Sequence, residues 1–402
     1  MAMAVSSLHS IPIKQRPPPD WRVRLHSIAF NVSFGLSLLL IHSFQLVFLP
    51  LRLIPHPYAD KTYHSAIIWA KEAFASDLVF IVSVFGPSKF VLTADDSIDL
   101  NKVVRQDASG RFAGFDLATQ AVWISNHQCY TDWIFPWIFM SYGSVSAGLV
   151  IILQAALEWA PIVGPAMQLF NFCFIDKKKT LAKSNLFRTA QAMLRRGEPY
   201  QALLFPEGTL YSSLTRPRSA KYAEQLGIPD ATNVLLPRSA GMLFTLRCLL
   251  TIIPRSTLAL YDITMGYPGV PAQAYAQDYY TLQSVFGRGV SAPAVHIHLR
   301  QVRLEDVPLG AVRESARPAH LEGEITPEEK KVFEEWLRAR WEEKDKLMGE
   351  FGAKGEFPSP GGQGSVEVEI KMRTADWVVL ASVPVVLAVA FWLVKRVVGL
   401  VF

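Results

Sequence analysis

Hydrophobic and polar positions divide the chain into blocks of different kinds. No Asp, Glu, Lys or Arg occurs from Ser27 to Leu51, a run long enough to cross a hydrocarbon core, which takes about 20 residues. A cleaved signal peptide fits poorly, because the run is too long and no small-residue cleavage site follows it. A second apolar segment, Ala66 to Phe85, is interrupted by Lys71, Glu72 and Asp77. Lys89 to Thr93 predicts a strand, and the polar stretch after it, with Asp95, Asp96, Asp99, Asp107 and Gly110, predicts a surface insertion. Ala121 to Ile124 predicts another strand. From Trp133 to Ile175 the only acid or base is Glu158. Gly143, Gly148, Pro161, Gly164 and Pro165 break this stretch into pieces, so a single transmembrane helix is a poor fit. Short buried or membrane-dipping helices around a hydrophobic groove are expected.

The pattern then changes period. Phe172 to Ile175 predicts a buried strand, residues 183–197 an amphipathic helix stopped by Gly197, and Gln201 to Phe205 a further strand. Strand, helix and strand at this spacing mark an α/β fold. Further strands are predicted at Val234 to Leu236, Leu258 to Met265 and Ala294 to Val302. Thr326-Pro327-Glu328-Glu329 predicts a capping box. The helix it opens carries Phe333, Trp336, Leu337 and Trp341 on one face. Gly352 to Gly364 predicts a Gly/Pro linker. Trp377 to Val394 supplies 18 uncharged residues between Lys371 and Arg373 on one side and Lys395 and Arg396 on the other. At about 1.5 Å per residue this suits a thin membrane such as the endoplasmic reticulum. The expected organisation is a basic flexible leader (1–26), membrane-embedded N-terminal helices (27–85), a catalytic domain (86–351), a linker (352–374) and a C-terminal membrane anchor (375–402). The expected fold class is α/β, a mixed sheet flanked by helices.

Composition agrees. Of 402 residues only 19% are charged, and the mean hydropathy of +0.20 exceeds that of a simple soluble enzyme. A net charge of +5 is compatible with an anionic membrane surface or a phosphate-bearing substrate, and too small and scattered for nucleic acid. Cys129, Cys173 and Cys248 lie in apolar surroundings without metal or disulfide spacing. Lys14, Arg16, Arg22 and Arg24, set against Arg52 and Lys61, favour a cytoplasmic N-terminus. That count places the following domain across the membrane unless Ala66 to Phe85 returns or the first helix does not span.

The candidate chemistry centres on His127 and Asp132. With His127 in the turn before a helix and Asp132 in its first turn, the carboxylate would accept Nδ1–H and leave Nε2 to take a proton from a hydroxyl. The helix N-terminus beside Asp132 offers a favourable potential for developing negative charge. The spacing alone fits equally a capping aspartate beside an ordinary histidine. Pro206 and Gly208 bracket Glu207 at a strand end, which would present its carboxylate at the sheet's edge or in an ordinary solvated turn. Lys177 follows the Phe172 to Ile175 strand and can reach a cleft, whereas Lys178 and Lys179 suit a solvated face. His296 and His298 share one strand face without a third ligand nearby, and a solvent-facing strand accounts for them better than a metal.

Asn126-His127 with Asp132, followed by Phe205-Pro206-Glu207-Gly208-Thr209, resembles the glycerolipid acyltransferase family, which includes the 1-acylglycerol-3-phosphate acyltransferases. The resemblance continues through Leu235-Leu236-Pro237-Arg238-Ser239-Ala240-Gly241, Tyr261-Asp262-Ile263-Thr264 and Val295 to Arg300. Trp341-Glu342-Glu343-Lys344-Asp345 is similar to the lysocardiolipin acyltransferase branch, and residues 85–357 are covered in all. It implies transfer of a fatty acyl group from acyl-CoA, as co-substrate, to a hydroxyl of a lysophospholipid, without metal or other cofactor. His127 matches the family's base and Asp132 its orienting carboxylate. Asn126 precedes them in the motif, Glu207, Gly208 and Thr209 match the acceptor-binding block, and Arg238 falls in the fourth block. Lys177 stands where the family has a phosphate-contacting arginine. Gln154 and Glu158 replace expected lysines, which makes the region less cationic and the headgroup open. An active site on the cytosolic face of the endoplasmic reticulum, or of a mitochondria-associated or lipid-droplet membrane, follows from the donor being cytosolic, with no obligate protein partner expected. The competing expectation is a non-catalytic lipid-binding or membrane-shaping protein, which has no need of a base. A serine esterase would need G-x-S-x-G, and Ser239 lies outside that pattern.

Overall fold

The computed structural model describes residues 5–175, 181–312, 325–359 and 363–401. In chain order, α1 (Trp21–Phe48) and α2 (Pro57–Phe85) precede β1 (Lys89–Ala94). The insertion that follows holds α3 (Leu100–Val103) and a small hairpin, β2 (Val104–Gln106) with β3 (Phe112–Phe115). The main body continues with β4 (Gln120–Ser125), α4 (Ile134–Tyr142), β5 (Leu149–Gln154), α5 (Val163–Leu169), β6 (Cys173–Ile175), α6 (Leu181–Arg195) and β7 (Tyr200–Leu204). After these come α7 (Arg216–Leu226), α8 (Ser239–Leu250), β8 (Leu258–Gly266), β9 (Ala294–Val302), α9 (Pro327–Lys354), β10 (Val366–Glu369) and α10 (Thr374–Val401).

Eight strands form one mixed sheet in the order β10-β1-β9-β8-β4-β7-β5-β6. Strands β8, β4, β7, β5 and β6 run parallel to one another, and their carboxyl ends share one edge. In sheets of this kind ligands bind outside that edge, where the strand-to-helix loops gather. Strands buried on both faces read as continuous apolar runs, and β4, β7 and β8 are such strands. Trp123 anchors the centre, stacked on Tyr261 with ring centroids 4.2 Å apart and donating from Nε1 to Gln201 Oε1 at 2.7 Å.

Among the described residues two helices are long and apolar enough to cross a membrane, Trp21–Leu53, which runs through α1, and Thr374–Arg396 within α10. The helix α2 packs against α1, α10 and α4, and its mid-section is buried. Lys71 on it is inside the protein and donates to Leu149 O at 2.8 Å. Both ends of α1 are held to the body: His26 Nε2 lies 3.0 Å from Phe286 O, and Gln45 Nε2 donates to Ala166 O at 3.4 Å. Outward, Leu25, Ile28, Val32, Leu36 and Leu39 form an exposed apolar stripe.

Several expectations are corrected. The leader is docked rather than loose: Arg16 is buried and donates to Ile11 O and Tyr279 O, each at 2.7 Å. Between Trp133 and Ile175 the structure has a sheet strand, β5, as well as helices, because a short fully buried strand and a buried helix share the same unbroken apolar pattern. Val234 to Leu236 is irregular loop and joins neither sheet. The segment expected as a linker contributes β10, which pairs antiparallel with β1 from Lys89↔Glu369 to Leu92↔Val366. His296 and His298 do not face solvent. Phe351 and Phe357 cover them, and His298 Nδ1 lies 3.0 Å from Thr93 Oγ1. Burial lowers His298 to about 4. Among the described residues no group of His, Cys, Asp and Glu is placed to hold a metal ion.

Candidate active site

Strand β4 ends at Ser125, and the chain turns through Asn126 to Asp132 before α4 begins. Asn126 completes the sheet where the strand stops. Its Nδ2 donates to Met265 O at 2.9 Å, and its Oδ1 accepts from Met265 N at 2.8 Å. The side chain thus substitutes for a backbone rung against β8 and fixes the start of the turn. His127 Nδ1 then lies 2.9 Å from Asp132 Oδ2. The two are brought together as expected, but Asp132 lies in the turn before α4, not in the helix's first turn: α4 begins at Ile134, after its N-cap Trp133. Asp132 is fully buried, whereas His127 keeps 21% of its side chain exposed.

Asp132 is surrounded by donors. Oδ2 also accepts from the amides of Gln128 and Cys129, and Oδ1 accepts from Cys129 Sγ at 3.1 Å and Tyr267 Oη at 2.6 Å. A carboxylate so furnished is held in place, which orients the imidazole and sets the tautomer with Nε2 free of hydrogen. The histidine ring stacks on Phe205, centroids 4.4 Å apart. Burial, with the Asp132 charge alongside, keeps both the Tyr267 hydroxyl and the Cys129 thiol well above their ordinary values, so each remains a proton donor.

Glu207 is turned inward rather than presented at the sheet's edge. Its Oε1 accepts from His127 N and its Oε2 from Leu235 N, both at 3.1 Å. One carboxyl group therefore ties the histidine loop to the loop after β7 and to the segment before α8. Burial raises Glu207 to about 8, against the pull of those two amides and of Lys344. Gly208 makes the next turn with φ +71°, in the left-handed region that a side chain disfavours. Its carbonyl accepts from Gln154 Nε2. Thr209 is exposed. Arg238 is also exposed; its amide donates to Pro206 O at 2.8 Å, its side chain lies beside Gly208, and its guanidinium sits over the Tyr222 ring. Lys177 lies outside the described residues.

The structure thus gathers Asn126, His127, Asp132, Glu207, Gly208, Thr209 and Arg238 at one end of the sheet. Residues to which the sequence reading assigned no role at the site complete the frame. Tyr267 follows β8. Lys344, from the charged face of α9, is buried and donates to Asp262 Oδ1 and Ile263 O, each at 2.6 Å. Asp345 accepts from Thr232 N at 3.0 Å and holds the Asn233 amide and side chain. A charged run on a helix looks solvated until its partner strand is known.

Comparison with known proteins agrees with this architecture. The Acyltransferase family model matches residues 102–257, and the acyltransferase C-terminus model residues 321–382. Over 414 aligned residues, 94% of this chain and 98% of the relative, the sequence is 30% identical to the 2-acyl-1-lysophosphatidylinositol acyltransferase of Saccharomyces cerevisiae. The chain belongs to the glycerolipid acyltransferase family. Other acyltransferases of this family align less completely. Lysocardiolipin acyltransferase 1 of Danio rerio is 31% identical over 59% of this chain and 54% of its own length. The 1-acyl-sn-glycerol-3-phosphate acyltransferase 2 of Brassica napus is 22% identical over 82% of this chain and 73% of its own. The acyltransferase C-terminus match begins just before α9, the helix that supplies Lys344 and Asp345 to the frame.

Proposed function

We propose that the protein transfers a fatty acyl group from acyl-CoA to a free hydroxyl of a lysophospholipid, with lysophosphatidylinositol the first acceptor to test. The observation that carries this reading is the His127–Asp132 pair at the open end of the sheet. It occurs in a chain aligned nearly end to end with a yeast lysophosphatidylinositol acyltransferase. His127 Nε2 takes the acceptor's hydroxyl proton as the oxygen attacks the thioester carbonyl. Collapse of the tetrahedral intermediate breaks the carbon–sulfur bond, and the departing CoA thiolate recovers that proton from His127. Asp132 balances the imidazolium between the two steps. A thioester is already activated, so alignment of the two substrates and one base account for the chemistry.

In this reading Asn126 and Glu207 hold the backbone of His127, and Gly208 leaves room for the acceptor. Thr209, Arg238 and Lys177 supply its polar contacts. A lysine binds phosphate as a point charge without the bidentate geometry of arginine, which suits an acceptor with few anionic contacts. In this reading the reaction runs on the cytosolic face of the endoplasmic reticulum, where acyl-CoA is available. The deciding experiment is acyl-CoA turnover by membranes carrying the protein against lysophosphatidylinositol, lysophosphatidate and lysocardiolipin. His127→Ala is expected to lower turnover by about 10² to 10⁴-fold. Undiminished turnover in that variant overturns the mechanism, and no turnover of any acceptor by the wild type overturns the activity.

A further inference from the structure

The loop between β5 and α5 carries apolar side chains outward on a frame that is itself well bonded. Trp159 is 74% exposed, and Leu157, Ile162 and Val163 are exposed with it. The backbone beneath them is closed: Gly164 N donates to Ala160 O at 2.8 Å, and Gln168 Nε2 donates to Glu158 O at 2.7 Å. Gly164 is buried so closely against this turn that a Cβ there would stand 2.4 Å from Glu158 O. Ile162 takes φ +64°, a conformation that a β-branched residue strongly disfavours. The fold holds that strain with the isoleucine facing outward.

Two connections say what covers this surface. The loop leaves the carboxyl end of β5, on the same edge as His127, where Gln154 bonds Gly208 O. At its other end α5 meets α1 through Gln45 and Ala166, and Leu46 and Val47 beside that bond are exposed. The apolar surface of α1 therefore continues across α5 to the loop and stops beside the catalytic edge. An indole at such a border suits the level of lipid headgroups. We propose that residues 157–163 insert into one leaflet of the bilayer as a fixed wedge and hold the catalytic edge against the surface from which the acceptor enters. The kinetic part of this inference rests on the lysophospholipid reading above; the insertion itself does not.

The test uses the full chain in phosphatidylcholine and phosphatidylinositol vesicles. The natural cysteines are buried, so Trp159→Cys offers one reactive site for an environment-sensitive fluorophore. Val32→Cys on the α1 stripe and Lys221→Cys on the exposed face of α7 are the reference positions. Quenching at 159 by lipids with nitroxides on the upper acyl carbons, to the extent seen at 32, is expected. Quenching as weak as at 221 overturns the wedge. Trp159→Asp is expected to raise KM for a long-chain lysolipid held in vesicles about tenfold, leaving kcat/KM for a monomeric short-chain lysolipid within about twofold. Equal losses on both substrates overturn the role in acceptor entry. A quenched label on a protein without turnover sinks the acceptor assignment and keeps the wedge, and turnover with an unquenched label does the reverse.

Discussion

Tyr267 Oη donates to Asp132 Oδ1 at 2.6 Å, while His127 Nδ1 lies 2.9 Å from Oδ2 of the same carboxylate. The tyrosine touches no reacting atom in the proposed chemistry; it acts through Asp132. A hydrogen bond to a charged group contributes about 1.5–3 kcal/mol, so Tyr267→Phe should lower kcat by about 10 to 100-fold with KM nearly unchanged. Removing the hydroxyl leaves Asp132 less firmly oriented against the imidazole, which acts on kcat alone. A matching rise in KM, or an equal loss of rate with a lowered unfolding temperature, would show a purely structural role.

Asp132→Asn tests the other half of the couple. The amide can present a donor to His127 Nδ1, which selects the tautomer with hydrogen on Nε2 and removes the base. Turnover should fall by about 10² to 10⁴-fold with folding retained. The measurement is acyl-CoA consumption alongside a thermal unfolding curve of the same preparation.

Glu207 makes stability depend on pH. Its carboxyl is raised by burial from an ordinary 4.5 to about 8, so the folded state holds that proton more tightly than the unfolded chain does. The associated stability is fully present below about 4.5 and is lost as pH climbs through about 8. Glu207→Gln, which cannot ionise, should flatten this part of the stability profile while weakening one of the two amide bonds. Thermal unfolding of solubilised protein between pH 5 and pH 9, wild type against variant, checks the slope.

Lys344 and Asp262 form a buried ion pair at 2.6 Å. Lys344→Met leaves the carboxylate uncompensated and should destabilise by about 3–5 kcal/mol. Pairing it with Asp262→Leu should recover much of that loss, because replacing both charges by apolar groups of similar volume is often close to neutral. Failure of the double variant to exceed the single one in unfolding temperature counts against the pair as the cause.

Much of this fold was legible in the sequence, for reasons that also explain what was not. Strands such as Leu258–Gly266 and Ala294–Val302 announced themselves by β-branched and aromatic runs, and α9 by its capping box, whose Thr326 side chain and Glu329 amide are bonded as expected. The His127–Asp132 contact was readable because both partners lie in one turn. The contacts of Tyr267 and Lys344 were not, since each meets its partner across more than eighty residues; Lys344 stood in the motif Trp341 to Asp345, which does not contain Asp262. Glu207 was found as a motif residue, but its direction depends on the amide of Leu235, a contact that the motif does not contain. The burial of His296 and His298 likewise depends on Phe351 and Phe357, which arrive from the end of α9.

The position of β1 has a consequence for synthesis. Its neighbours on either side, β9 and β10, are encoded about 200 and 280 residues later. At about 5–20 residues per second, the strand Lys89–Ala94, with Phe90, Val91 and Leu92 in its centre, waits roughly 10–40 s for β9 and longer for β10. The catalytic edge can assemble around β4, β7 and β8 while that border is still open. A nascent chain of this protein therefore carries an apolar strand beside its two emerging apolar helices with neither of its sheet neighbours yet made.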